Sequence, residues 1–264
     1  MKKRCLNYTV VKSLITFLLL VHFLSASTFV KAKVQLPSIL SSNMVLQQHT
    51  NVKLWGKAQK NSPITIKTSW DNKTYKTIAD KQGKWLLNIS TPVAGGPYEI
   101  TFNDGELLTL KNILIGEVWF CSGQSNMEMP MSGFDRQPTQ GTNDVIAKAK
   151  ASTPIRIYNT DSKDGKWIRQ FSKTPEEDCK GEWLENTPVN VSHTSATAYF
   201  FAQYLQEVLE VPVGIIISSL GGSKVEAWMS REAITPFKSI DLSILNNNEP
   251  IKNITATPCA LYNS

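Results

Sequence analysis

Histidine and cysteine are scarce in this chain, three and four of 264 residues, and each shortage removes a class of chemistry. Beyond residue 32 the cysteines are Cys121, Cys179 and Cys259, spaced unlike any zinc-ligand pattern, so no structural metal is expected. Their odd number leaves at least one free thiol, and Cys121, inside an apolar run, reads as a small packing residue. A lasting excess of charge is missing too. Residues 1–32 hold five of the 28 basic residues and none of the 22 acidic ones, which leaves 23 against 22, a net charge of +1. No nucleic-acid or anionic-membrane partner follows from that balance. With 41% hydrophobic and 19% charged residues the composition is that of a globular protein.

Long apolar runs are absent except around Leu14 to Leu24, which follows Lys2, Lys3 and Arg4. The run is short for a bilayer span and is interrupted by Thr16 and His22. Small-residue sites follow at Ser25-Ala26-Ser27 and Val30-Lys31-Ala32. This predicts a signal peptide over residues 1–32, export to a periplasmic or extracellular location, and no membrane partner after cleavage. Asn72, Asn88, Asn190 and Asn253 open Asn-x-Ser/Thr sequons.

From Val34 to Lys111, short β-branched or apolar runs at Val52 to Gly56, Ile64 to Thr68, Trp85 to Ile89 and Tyr98 to Phe102 alternate with turn clusters. Among those clusters are Asn61-Ser62-Pro63, Gln82-Gly83 and Gly95-Gly96-Pro97. The pattern predicts a small β-sandwich over residues 33–111. Trp55, Trp70 and Trp85 are read first as filling between sheets, with sugar stacking as the alternative.

The pattern changes at Asn112. Ile113 to Phe120 is nearly continuous apolar sequence, expected as a strand buried on both faces. A helix near Asp144 to Ala151 and a strand at Ile155 to Tyr158 come next. A helix from Ser195 to Leu209 follows, with Ala198, Phe201, Ala202, Leu205 and Leu209 at helical spacing, and then a strand at Ile215 to Ser219. Strand and helix in alternation predict an α/β fold with a doubly wound parallel sheet over residues 112–264. Asp161 to Pro188 is read as a long surface loop.

In such a sheet, reacting groups collect beyond the carboxyl ends of the strands. Two Gly-containing turns occupy such places, Gly123-Gln124-Ser125-Asn126-Met127 and Leu220-Gly221-Gly222-Ser223. A serine just past a strand presents its Oγ outward while its own N–H points to the same spot, and the second turn can add another N–H to form an oxyanion hole. The structural alternative makes Ser125 a helix N-cap and the glycines ordinary turn formers.

The run Gly116 to Glu128 resembles the first conserved block of the sialate O-acetylesterases, hydrolases of the SGNH type. The similarity continues at Ser195 to Phe201, Val211 to Gly214, Gly221 to Met229 and Ala260 to Asn263. Asn43 to Gln47 and Trp55 to Ala58 resemble that family's opening β-domain. The resemblance implies an SGNH-hydrolase-like, flavodoxin-like sheet and a carbohydrate O-acetylesterase with Ser125 as nucleophile. Gly221 would donate an oxyanion N–H, with Gly222 as the fallback if the turn is shifted by one residue. The substrate would be an O-acetylated sugar or glycan, with no cofactor and no metal. Glu226 and Trp228 are read as structural, with lining of the sugar pocket as the alternative.

The family's late Asp-x-x-His and Gly-Glu-Ser-Asn blocks have no counterpart here. After export only His49 and His193 remain, neither preceded by aspartate at the third position. The chain therefore looks like an N-terminal fragment with an incomplete sheet, and weak or absent catalysis is expected of it. Two other readings stand beside the leading one: an acetylxylan-type polysaccharide deacetylase, and a non-catalytic carbohydrate-binding protein that works through its β-sandwich.

Overall fold

The computed structural model describes residues 33–160, 162–163, 166–167 and 171–264; the signal peptide expected over residues 1–32 lies outside them. Lys33–Ser264 form one unit. Its first strands mostly follow the period-2 rule, one side chain inward and the next outward, although Val45 and Leu46 are both buried. They are β1 (Val45–Gln47), β2 (Asn51–Lys57), β3 (Pro63–Thr68), β4 (Thr74–Ile78), β5 (Lys84–Ser90) and β6 (Gly95–Asn103). Strands β2 and β5 form an antiparallel ribbon of their own. Its Leu54, Trp85 and Ile89 meet Ile64, Ile66, Ile100 and Phe102 of β3 and β6 in one buried core. Trp85 is therefore core, whereas Trp55 points outward and is 37% exposed.

β7 (Leu107–Gly123) is the longest strand, at 17 residues, or about 55 Å at ~3.3 Å per residue. Its first half pairs with β6 and its second half with β12 (Val213–Ser219), while β1 runs parallel to its middle. The register against β6 slips beside Asn112, which holds φ 56°. Asn112 Nδ2 there donates to Asn43 Oδ1 at 2.7 Å. Gly95 to Pro97, expected as a turn, instead opens β6 as an irregular stretch. Gly96 at φ +132° leaves no room for a side chain beside Ile113 O. At Gly116 a Cβ would sit 1.9 Å from Pro212 O, so only glycine lets β7 pass the turn that leads into β12.

β8 (Ile155–Asn159) runs parallel on the far edge of β12, and β11 (Glu182–Glu185) adds an antiparallel strand outside it. The main sheet reads β11-β8-β12-β7-β6-β3-β4, with β1 beside β7. β9 (Ser162–Lys163) and β10 (Lys166–Trp167) make a separate two-residue pair. The segment expected as a loop from Asp161 to Pro188 thus contains strands. β11 joins because Trp183 stands opposite Tyr158 and packs on its ring at 5.3 Å.

The helices are α1 (Ser125–Glu128), α2 (Thr142–Lys148), α3 (Pro188–Ser192), α4 (Ala196–Leu209) and α5 (Arg231–Ile234), with a 3-10 turn at Val225–Trp228 and another at Ser243–Asn246. Ser195 caps α4, its Oγ accepting from the Ala198 N–H at 3.2 Å. α4 lays Ala198, Tyr199 and Ala202 on Ile155, Ile215 and Ile217 of the parallel strands. Phe201 and Leu209, expected on that face, are exposed; a helix packed through alanines keeps only a narrow stripe on the sheet.

The second half of β7 is not covered on both faces as expected. Trp119 is 44% and Phe120 65% exposed. Trp119 packs edge-on against Phe201 at 5.0 Å. Among the described residues no strand pairs with the β7 edge that carries Val118, Phe120 and Ser122.

Candidate active site

Two strand ends lie side by side because β7 and β12 are parallel and in register up to Gly123 opposite Ser219. The ladder takes one further step, in which the Leu220 N–H donates to Gly123 O at 3.0 Å. Gly123, at φ +153°, then turns the chain out of the sheet, and α1 starts at once. The N–H groups of Met127 and Glu128 both donate to Gln124 O at 2.9 Å. Gln124, and not Ser125, is the N-cap. The alternative reading of Ser125 as a capping serine therefore fails, and its side chain is left for other work.

Ser125 is exposed, and among the described residues its Oγ has no hydrogen-bond partner. It opens onto a recess of about 400 Å³ lined by Gly123, Gln124, Ser125, Asn126, Met127 and Thr197. Thr197 Oγ1 donates to Asn126 O at 3.0 Å and ties α1 to α4.

The second turn is stitched to the first by side chains that the sequence reading passed over. Gln124 Nε2 donates to Ser223 O at 2.9 Å. The Gly221 N–H donates to Glu128 Oε2 at 2.6 Å. Ser223 Oγ donates to Leu220 O at 2.6 Å and accepts from Trp228 Nε1 at 2.8 Å, which closes the turn on itself. A Cβ on Gly221 would lie 2.5 Å from Glu128 Oε2 and 3.6 Å from Ser125 Oγ. A serine hydroxyl oxygen, a backbone N–H and a carboxylate thus surround one point. Gly222, at φ +69°, faces open space and serves the bend of the turn.

The remaining sequence candidates lie elsewhere. Trp228 lines a separate cavity of about 450 Å³ with Phe120, Ile216 and Leu261, and the Glu226 backbone oxygen accepts from the Cys259 N–H at 2.9 Å. Neither residue lines the Ser125 recess. His49 sits exposed in a turn at φ 50°, and His193 is the exposed C-cap of α3; neither lines that recess. Cys121 is buried in β7, and burial pushes its thiol pKa up, so it is not primed as a nucleophile.

One sign of the missed carboxylate was present in the sequence. Ser125-Asn126-Met127-Glu128 has the Ser-x-x-Glu spacing of a capping box. In the fold that glutamate reaches across to the second turn and not back to its own helix.

No family model matches the chain. It is 26% identical over 212 residues to the mouse sialate O-acetylesterase and 27% over 217 to the rat protein, 75% of this chain in each case. The human sialate O-acetylesterase is 25% identical over 212 residues. The chain spans 38% of the length of the mouse and rat proteins. Its fold is similar to the crystal structure of a carbohydrate acetylesterase from Xanthomonas citri, with a TM-score of 0.72 and 29% identity. That match covers 88% of this chain and 47% of the other. In sequence the chain is similar to the sialate O-acetylesterases, and the α/β fold that carries its two turns is similar to that of a carbohydrate acetylesterase.

Proposed function

We propose that this chain carries the nucleophile and oxyanion turns of a serine-dependent carbohydrate O-acetylesterase, with O-acetylated sialic acid as the substrate. The observation behind this reading is the meeting of Ser125 Oγ with the Gly221 backbone at the ends of β7 and β12. Ser125 Oγ attacks the acetyl carbonyl, the tetrahedral oxyanion takes the N–H groups of Ser125 and Gly221, and collapse releases the sugar hydroxyl. Water then frees acetate from the acyl-serine. The names of the relatives support the substrate class.

A hydroxyl attacks slowly without a base in reach, and no histidine lines the recess. Positioned acid–base catalysis is worth about 10²–10⁴ in rate. Turnover of p-nitrophenyl acetate by this chain is expected to be slow by that order, and what remains should vanish in Ser125→Ala. Intact-mass analysis after incubation with a fluorophosphonate is the direct check: one adduct on the native chain and none on Ser125→Ala. Absence of any Ser125 adduct would sink the reading, and fast turnover would overturn the missing base. Acetate released from O-acetyl sialic acid, set against acetylated xylan, decides the sugar. Export goes with this proposal, and N-terminal sequencing of the secreted protein should begin at Lys33.

A further inference from the structure

We infer that Glu128 is a positioning residue of this site, whose carboxylate holds the Gly221 N–H beside Ser125 until an acyl oxygen carrying negative charge takes its place. The proposal rests on the esterase reading for its last step only; the hold on Gly221 stands without it.

Glu128 ends the four-residue helix that begins with Ser125. Any shift of α1 therefore moves nucleophile and carboxylate together. Its Oε2 accepts from Gly221 N at 2.6 Å, across 93 positions of sequence. It is the shortest tie between the two turns; the other two are Leu220 N–H to Gly123 O at 3.0 Å and Gln124 Nε2 to Ser223 O at 2.9 Å. These two fix the flanks of the second turn, and Glu128 fixes its centre, where a Cβ would come within 2.5 Å of the carboxylate and 3.6 Å of Ser125 Oγ.

A hydrogen bond to an ionised acceptor is roughly twice as strong as one between neutral groups. A neutral ester carbonyl is therefore a poor competitor for the Gly221 N–H. The tetrahedral oxyanion, with a full charge, competes on equal terms. The tie therefore gives way to the charged oxygen and not to the bound ester; its own strength adds nothing to the rate, and its part is to keep the donor in place. On displacement the carboxylate turns to water, which it already meets, since Glu128 is half-buried. No proton moves in this exchange.

The test uses the 15N-labelled full chain and two variants, Glu128→Gln and Glu128→Ala. Glu128→Gln keeps size and an acceptor but removes the charge, so it preserves the fold. In both variants the Gly221 amide resonance should move upfield and its hydrogen exchange should quicken, while Leu220, held by Gly123, stays put as the control. For fluorophosphonate, whose neutral P=O resembles the ester, Glu128→Gln should bind about fivefold tighter, because that oxygen then competes with a neutral acceptor. A Gly221 amide unmoved in both variants overturns the proposal. So does an affinity of Glu128→Gln equal to that of the native chain. If Gly221 responds while the native chain takes no label at Ser125, the esterase reading falls and the hold on Gly221 stands.

Discussion

Arg156 is 4% exposed, although it carries a charge. Its Nη1 donates to Ile155 O at 3.2 Å, its Nη2 lies 3.4 Å from Glu185 Oε1, and its Nε finds no partner. Burial pulls its pKa below the usual guanidinium value, and Glu185 pulls part of the way back. A buried pair with an orphaned donor contributes little net stability, but removing one member exposes the other's desolvation cost. Arg156→Met should therefore fall within about 1 kcal/mol of the native chain, as read from urea midpoints. Glu185→Ala should cost about 2 kcal/mol, less than for a fully buried partner because Glu185 is partly solvated. At this scale the site was legible where its parts are local. Ser125 and Gly221 each sit in a glycine turn just past a strand, and both turns were visible in the sequence. Glu128 and Gln124 were not, because their bonds reach 93 and 99 residues along the chain, and no pattern within a window reports such a partner.

Among the elements, the β2–β5 ribbon shows what register alone can impose. It sets Lys57 directly opposite Lys84, a repulsive cross-strand pair. Glu177 settles between them, 2.5 Å from each ammonium. The hydrogen bonds from Lys57 and Lys84, with their charges behind them, bring its pKa from 4.5 down to about 2. A depressed carboxylate contributes stability above its unfolded pKa and loses it as pH falls through the folded value. Glu177→Gln should thus lower the melting temperature at pH 7, and the difference from the native chain should shrink below pH 4.5 and vanish near pH 2. Added salt should shrink it too. Elements with a clear period were readable: β2, β3, β5, β6, α4 and β12 lie within a few residues of where their sequences put them. The faces they present were harder. Trp55 and Trp85 look alike as sequence, yet the parity set by Leu54, Trp85 and Ile89 turns one out and the other in. β11 was missed because four residues flanked by polar sequence gain strand character only from the Tyr158 edge.

On the scale of the whole molecule, β7 is shared. Its first half belongs to the sheet under the β2–β5 ribbon, and its second half ends at the Ser125 turn. The core beneath the ribbon runs on through Leu114 and Ile115 to Tyr158 and Trp183, without a gap at the change of sequence pattern near Asn112. Two layers that share a strand and a core should melt together. Calorimetry is expected to show one endotherm with equal calorimetric and van't Hoff enthalpies. Two resolved transitions would mean that the halves are energetically separate.

The shared strand also limits where the chain can be cut and rejoined. A recombination joint between residues 111 and 112 would fall inside β7, beside the Asn112 bulge, so a foreign β-layer joined there would have to reproduce both the bulge and the strand that delivers Ser125. A designer who wants to graft the Ser125 turn elsewhere must carry the whole of β7 with it.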